Sequence, residues 1–358
     1  MKTFLFILLS TFYIISNAQN IPLYVGTYTG DGSEGIYYYN FNTKTGALSA
    51  KKLAIETENP SFIAFSSNKK FIYSVGEVDN YQGSSSGFIS AYEVLSNGNL
   101  KFLNKVSSNG AHPCHIALNS SNTKLAVSNY TGGSISIYSV NKKGTIESVS
   151  QIIDHNTTSK KSHAHSAKFF KDNLFIADLG LDLFAQYVLE KGQRTYRLKN
   201  SFKMKENAGP RHFEISKKGK FLYVINELNS TVTVLEKQND TYTNIQDVST
   251  LDENFKAFNA CADIHLSKNE QFLYGSNRGE NSIVVFKRDL KSGKLQKTQT
   301  ISTHGDWPRN FTIVPNGKFL LVANQRSKNI SVYSINKTTG ALNFKYSIDA
   351  PAPACLLF

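Results

Sequence analysis

The chain is a succession of short apolar runs separated by turns rich in Asn, Lys and Gly. Within the runs, β-branched and aromatic residues alternate with polar ones, as in Ser134-Ile135-Ser136-Ile137-Tyr138 and Asn329-Ile330-Ser331-Val332-Tyr333. A period of two bounded by turn residues predicts antiparallel strands joined by hairpins. No ten-residue amphipathic helix lies between the runs, which excludes parallel βαβ units and helical solenoids.

The runs also repeat. Segments of related pattern recur at residues 60–65, 113–118, 164–169, 210–215, 261–266, 308–313 and 353–358, seven copies spaced 45 to 53 residues apart. Each of the first six is followed by a turn, an apolar strand such as 71–73, 221–224 or 319–322, a second turn and a further strand. That period and content match four-stranded propeller blades. The seventh copy stops after one strand, while residues 23–28 and 35–39 supply the second and third strands of a blade that lacks its first. The predicted fold is therefore all-β: a seven-bladed β-propeller closed by the C-terminal strand, which completes the N-terminal blade and removes exposed sheet edges.

The amino terminus stands outside this pattern. Lys2, an apolar run from Phe4 to Ile15 and the small residues up to Ala18 have the layout of a secretory signal peptide cleaved after Ala18. The expected domain plan is a signal peptide over 1–18 and a single propeller over 19–358, exported to the periplasm or beyond. No segment reaches the ~20 apolar residues of a membrane span. Lys and Arg number 40 against 27 Asp and Glu, a surplus that favours anionic ligands at any cleft. The basic residues are scattered through turns, as at 142–143, 160–161 and 217–218, so no nucleic-acid partner is expected. Cys114, Cys261 and Cys355 are too widely spaced for a disulfide framework and read as small core residues, with pairing of any two left open. Ring closure predicts a monomer.

In a propeller the first strand of each blade lines the central channel, so equivalent repeat positions form rings around it. The second position carries Ser61, Cys114, His165, Arg211, Ala262, Arg309 and Ala354. The third carries Phe62, His115, Ser166, His212, Asp263, Asn310 and Cys355, expected by strand alternation to turn away or pack deeper. The turn leaving the second strand adds Tyr28, Glu77, Tyr130, Asp178 or Leu179, Glu227, Arg278 and Gln325. A turn-borne charge such as Glu77 or Arg278 is as readily a solvated residue. Glu227 is preferred because it shares a blade with Arg211. His163 and His165 lack a third ligand and any His-Glu-x-x-His or Cys-x-x-Cys companion, so no metal site is expected. Serine-hydrolase, phosphoryl-transfer and dinucleotide motifs are absent.

Gly26-Thr27-Tyr28-Thr29, His112-Pro113-Cys114-His115, Ser128-Asn129-Tyr130, His163-Ala164-His165-Ser166, Asp178-Leu179-Gly180-Leu181-Asp182, Gly209-Pro210-Arg211-His212 and Asn226-Glu227-Leu228-Asn229-Ser230 run in this order along the chain. Together they resemble the propeller lactonase family, which includes bacterial 6-phosphogluconolactonases and a fungal carboxymuconate cyclase. The resemblance implies hydrolysis of a small sugar lactone without a cofactor. It places the catalytic set at His165, Arg211 and Glu227, the three that the repeat alignment also singles out. His163, His115, Arg309 and Asn129 are candidates for substrate contact, Arg309 for a phosphate or carboxylate. A cyclase-like isomerase using the same side chains, and a non-enzymatic propeller binding glycans or proteins on its rims, are the alternatives.

Overall fold

The computed structural model describes residues 19–30 and 32–358, and the expected signal peptide lies outside them. The described residues form seven four-stranded antiparallel sheets arranged as blades. Strands are numbered in chain order. The first blade contains β1 (Asn20–Thr27), β2 (Gly35–Asn42), β3 (Leu48–Glu56) and, as its innermost strand, β28 (Pro353–Leu357). Blades 2 to 7 begin at the channel with β4 (Ile63–Phe65), β8 (Pro113–Leu118), β12 (Ala164–Phe170), β16 (Pro210–Ile215), β20 (Ala260–Leu266) and β24 (Pro308–Ile313). Their second strands are β5 (Phe71–Gly76), β9 (Lys124–Asn129), β13 (Asn173–Asp178), β17 (Phe221–Asn226), β21 (Phe272–Arg278) and β25 (Phe319–Asn324).

The second strands are buried almost end to end, whereas outer strands such as β15 (Arg197–Lys203) are largely exposed. A blade packs a neighbour on each face, so its inner strands bury both sets of side chains and need continuous apolar runs such as Phe221-Leu222-Tyr223-Val224-Ile225. The core is correspondingly a series of layers between blades. Phe221, Tyr223, Ile225, Val232 and Val234 of blade 5 interlock with Cys261, Ile264, Leu273, Val284 and Phe286 of blade 6. Gly293 shows how close the approach is: with φ of +73° in the blade 6 turn, it leaves room for the Phe221 ring, which a Cβ would meet at 2.3 Å.

Ring closure follows the predicted scheme. β28 pairs antiparallel with β1, Val25 facing Leu356 and Gly26 facing Cys355. Phe41 of blade 1 packs edge-on against Phe319 of blade 7 and Phe358 at the C-terminus, with ring centroids 5.6 and 5.3 Å away. The Tyr346 hydroxyl donates to Gly46 O at 2.8 Å, tying the last complete blade to the first. All three cysteines are buried and unpaired.

Candidate active site

Five of the seven channel-facing strands share one irregularity. Their ladders with the second strands skip a residue after the first pair: Pro113 and His115 are paired but Cys114 is not, and the same holds for His165 between Ala164 and Ser166, Arg211 between Pro210 and His212, and Arg309 between Pro308 and Asn310. In β28 the skipped residue is Ala354. Each is a β-bulge, which bends the strand and redirects the extra side chain. In these blades the second repeat position is thus the bulge position, and its side chains meet over the channel axis.

They enclose a cavity of about 220 Å³ lined by Glu77, Cys114, Tyr130, His165, Arg211, Glu227, Arg278 and Arg309. Arg211 Nε and Arg278 Nη2 both contact Glu227 Oε2, at 2.9 and 2.7 Å. The Arg211 contact is ionic without hydrogen-bond alignment. Backbone carbonyls complete the clamp: Arg211 Nη1 donates to Ala262 O at 2.5 Å, and Arg278 donates from Nε to Ala260 O and from Nη2 to Cys261 O. On the other side of the cavity Glu77 accepts from the hydroxyls of Tyr28 and Ser61 and lies 3.9 Å from Arg309 Nη2. Tyr130 stacks on His163 at 4.5 Å and meets His165 edge-on at 5.7 Å.

Burial and the nearby arginines set the protonation states. His165 is held well below the usual imidazole range, first by desolvation and then by the Arg211 charge, so it is a neutral base at neutral pH. Burial opposes the Glu227 charge, but Arg278 and Arg211 outweigh it and keep the carboxylate ionised. Arg278 is pushed down to about 10, by burial and by repulsion from Arg211, and remains a cation. Arg309 shifts the other way: burial disfavours its charge, but Tyr28 and Glu77 more than compensate. Three guanidinium groups against two carboxylates leave the cavity net positive. Burial raises the Cys114 thiol above its ordinary range, which leaves it a poor nucleophile.

Directly beneath lies the third repeat position. The His212 ring sits 5.2 Å from His165, 5.5 Å from His115 and 5.9 Å from Phe62. Contacts between blades 2 and 5 can form only across the axis, so these rings plug the channel below the cavity. The expected alternation away from the channel does not occur, because the bulge inserts an extra residue and brings both positions inward at successive levels. A wider bowl, about 630 Å³, opens at the far mouth, lined in part by Phe62, Lys168, His265 and Phe358. Clefts elsewhere, such as that around Gln271, Arg288 and Thr338, sit on outer hairpins.

With this geometry stand the comparisons with known proteins. The sequence matches the family described as Lactonase, 7-bladed beta-propeller over residues 22–358. The chain belongs to this lactonase family. Relatives named 6-phosphogluconolactonase include one from Bacillus subtilis (strain 168), 34% identical over 347 residues and covering 94% of this chain and 97% of its own. Another, from Formosa agariphila, is 36% identical over 335 residues, or 89% of this chain and 94% of its own. The structure described as the Pseudomonas aeruginosa periplasmic gluconolactonase aligns with a TM-score of 0.88 at 28% identity, covering 94% of this chain and 98% of that one.

In this lactonase-family propeller, His165, Arg211, Glu227 and Arg309 all line the one cavity. The other three candidates lie elsewhere. His163 stacks on the back of Tyr130 with Nδ1 3.1 Å from Tyr130 O. His115 belongs to the plug, 4.4 Å from the Phe62 ring. Asn129 is fully buried, its Nδ2 donating to Ser108 O and to the Ser134 and Ser136 hydroxyls, and it ties strands together behind the channel. Glu77, Arg278 and Tyr130 join the cavity although none was singled out above. Their signal was the ring of residues leaving the second strands, which converges on the same level as the bulges. Among the described residues no group of three His, Cys, Asp or Glu side chains is placed to hold a metal ion.

Proposed function

We propose that the protein hydrolyses a small sugar lactone in the channel cavity, outside the cytosol, with His165, Arg211 and Glu227 as the working set. The observation that carries this reading is a neutral, buried imidazole beside a fixed guanidinium pair in one positively charged cavity, in a chain whose relatives are named for lactone hydrolysis. His165 takes a proton from water as the oxygen attacks the lactone carbonyl, and the oxyanion forms against Arg211. The tetrahedral intermediate expels the ring oxygen, the C–O bond breaks, and the His165 imidazolium returns the proton to the leaving alkoxide, giving the hydroxy acid. Glu227, held between Arg211 and Arg278, keeps both guanidiniums in place. Arg309 is free on its cavity side to take a phosphate or carboxylate on the substrate. An extracytoplasmic site of action follows from the leader expected at residues 1–18 and is in keeping with the relative described as a periplasmic gluconolactonase.

The test is acid release from a panel of phosphorylated and neutral lactones by protein beginning at Gln19, beside Arg211→Ala. The expected result is turnover of at least one class, reduced roughly 10²–10³-fold by the substitution, as for loss of an oxyanion donor. No turnover of any lactone would sink the reading.

A further inference from the structure

The blade that carries His165 departs from its neighbours one layer behind the cavity. At the end of the second strand, blades 3, 5, 6 and 7 place Asn129, Asn226, Asn277 and Asn324, whereas blade 4 places Asp178. The Nδ2 groups of Asn129, Asn277 and Asn324 donate to the carbonyls of Ser108, Thr250 and Thr303, which follow the outer strand of the preceding blade. A carboxylate has no N–H to make that bond. Ahead of blade 4 the equivalent residue is His155, whose Nδ1 lies 2.9 Å from Asp178 Oδ2 and whose Nε2 lies 2.9 Å from the Tyr187 hydroxyl. The Ser162 hydroxyl donates to the same carboxylate oxygen.

The second oxygen is what distinguishes this blade. Asp178 Oδ1 accepts the backbone N–H of His163 at 3.0 Å and of Leu181 at 3.2 Å. The corresponding Oδ1 atoms of Asn129, Asn226 and Asn324 make no hydrogen bond, and that of Asn277 accepts only from side chains, Cys261 Sγ and Asn259 Nδ2. The neighbouring blades show why another anchor is needed here. In blades 5 and 7 the backbone just before the channel strand is held by a turn residue of the preceding blade, Asp182 Oδ1 accepting from Gly209 N and Asn281 Oδ1 from Trp307 N. The equivalent turn ahead of blade 4 ends in Gly133, which has no side chain to offer. Asp178 is buried, yet its hydrogen bonds to His155 and Ser162 outweigh desolvation and keep it ionised.

We propose that Asp178, anchored by His155, is a positioning residue for His165. By holding the backbone at His163, it sets the start of β12 and the bulge that aims the imidazole into the cavity, and it seats the His163 ring against Tyr130. Asp178 touches no reacting atom, and the catalytic arm of its test rests on the lactonase reading.

The variants are Asp178→Asn and the double variant Asp178→Asn/His155→Thr, which rebuilds the Asn–Thr arrangement of blades 6 and 7. Three quantities are measured: kcat and KM on the lactone, the melting temperature, and hydrogen exchange at the His163 amide. In Asp178→Asn, kcat should fall roughly tenfold or more with KM within about twofold, as expected for a misaimed base, and His163 should exchange faster. The double variant should recover the melting temperature but neither kcat nor His163 protection. A double variant matching the wild type in kcat and in His163 exchange overturns the proposal, because the pair would then be only another version of the repeat's anchor. Unchanged His163 exchange in Asp178→Asn overturns it regardless of activity, as does faster exchange spread evenly over blade 4. If the wild type opens no lactone, the function reading fails while the exchange arm still decides this one.

Discussion

Two adjacent levels of one channel are built from neighbouring repeat positions and carry opposite electrostatic designs. At the bulge level, Arg211, Arg278 and Arg309 face Glu77 and Glu227 around an open volume of about 220 Å³. At the third repeat position and, two residues beyond it, the fifth, charge is balanced and space is filled. Lys168 pairs with Glu214 at 2.9 Å, His265 lies 3.0 Å from Asp263 and 3.5 Å from Glu214, and Asn310 Nδ2 donates to Asp263 at 2.5 Å. His212, 2.7 Å from Asp263, is pushed to about 4 by burial and by Arg211 and contributes no charge at neutral pH. A polar ring in a channel is therefore not in itself a site. Compensated charge in a packed layer holds the blades in register, whereas surplus charge beside empty volume is what marks the upper level as the candidate site.

Four experiments break or sharpen this contrast. Ending the chain at Ala352 removes β28, and with it Ala354 from the upper level and Cys355 from the layer beneath. The loss is comparable to the whole stability of a domain, about 5–15 kcal/mol, so no cooperative thermal transition should remain. A sharp melt in the truncated chain would contradict the closure argument.

His165→Gln should lower kcat by roughly 10²–10⁴-fold, the usual worth of a general base, while the melting temperature moves by only a few degrees. Its depressed pKa also has a sign. The base works when neutral, so the acid limb of kcat/KM in the wild type should fall below pH 6.5, and a limb at or above that value would remove His165 from the role.

Asp263→Asn should do the reverse at the lower level, costing about 3–5 kcal/mol in urea denaturation by stranding His265 and His212, with kcat of the folded fraction within about threefold. His265 is pushed up to about 10: burial opposes its charge, but Asp263 and Glu214 prevail. A raised pKa contributes stability that is complete below about pH 6.5 and is lost as pH rises through 10. The wild type should accordingly lose more stability than Asp263→Asn between pH 6.5 and 10, and parallel curves would show that the pair does not hold the plug.

The smallest effect is expected from Arg309→Gln, since Glu77 keeps the Tyr28 and Ser61 hydroxyls. KM for a phosphorylated or carboxylated lactone should rise about tenfold, with neutral lactones unaffected. Equal changes for both classes would detach Arg309 from anion recognition.

Much of the cavity lining was legible because the repeat converts linear position into a ring. Once the copies are aligned, Arg211, His165 and Arg309 fall in one register and Glu227 in the turn that meets it. Arg278 and Glu77 were harder to recognise, because an isolated charge in a turn looks the same whether it faces solvent or an axis. Asn129 and His115 sit in motifs as distinctive as those of the cavity residues, but their side chains serve the strands and the plug. Distinctiveness in sequence does not separate a buried anchor from a binding group, since both require one particular side chain.

The sequence by itself determined the strands, their grouping into seven blades and the closure of the last strand on the first, because apolar periodicity and turn residues are local properties that each copy restates. Only the tertiary structure decided the bulges, and with them which side of each strand faces the cavity. Register arises from pairing with a second strand, and a one-residue slip redirects every side chain that follows. The meeting of Glu227 with both Arg211 and Arg278, and of Arg309 with Glu77, was decided there too, since charges from separate blades become neighbours only where the ring closes around its axis.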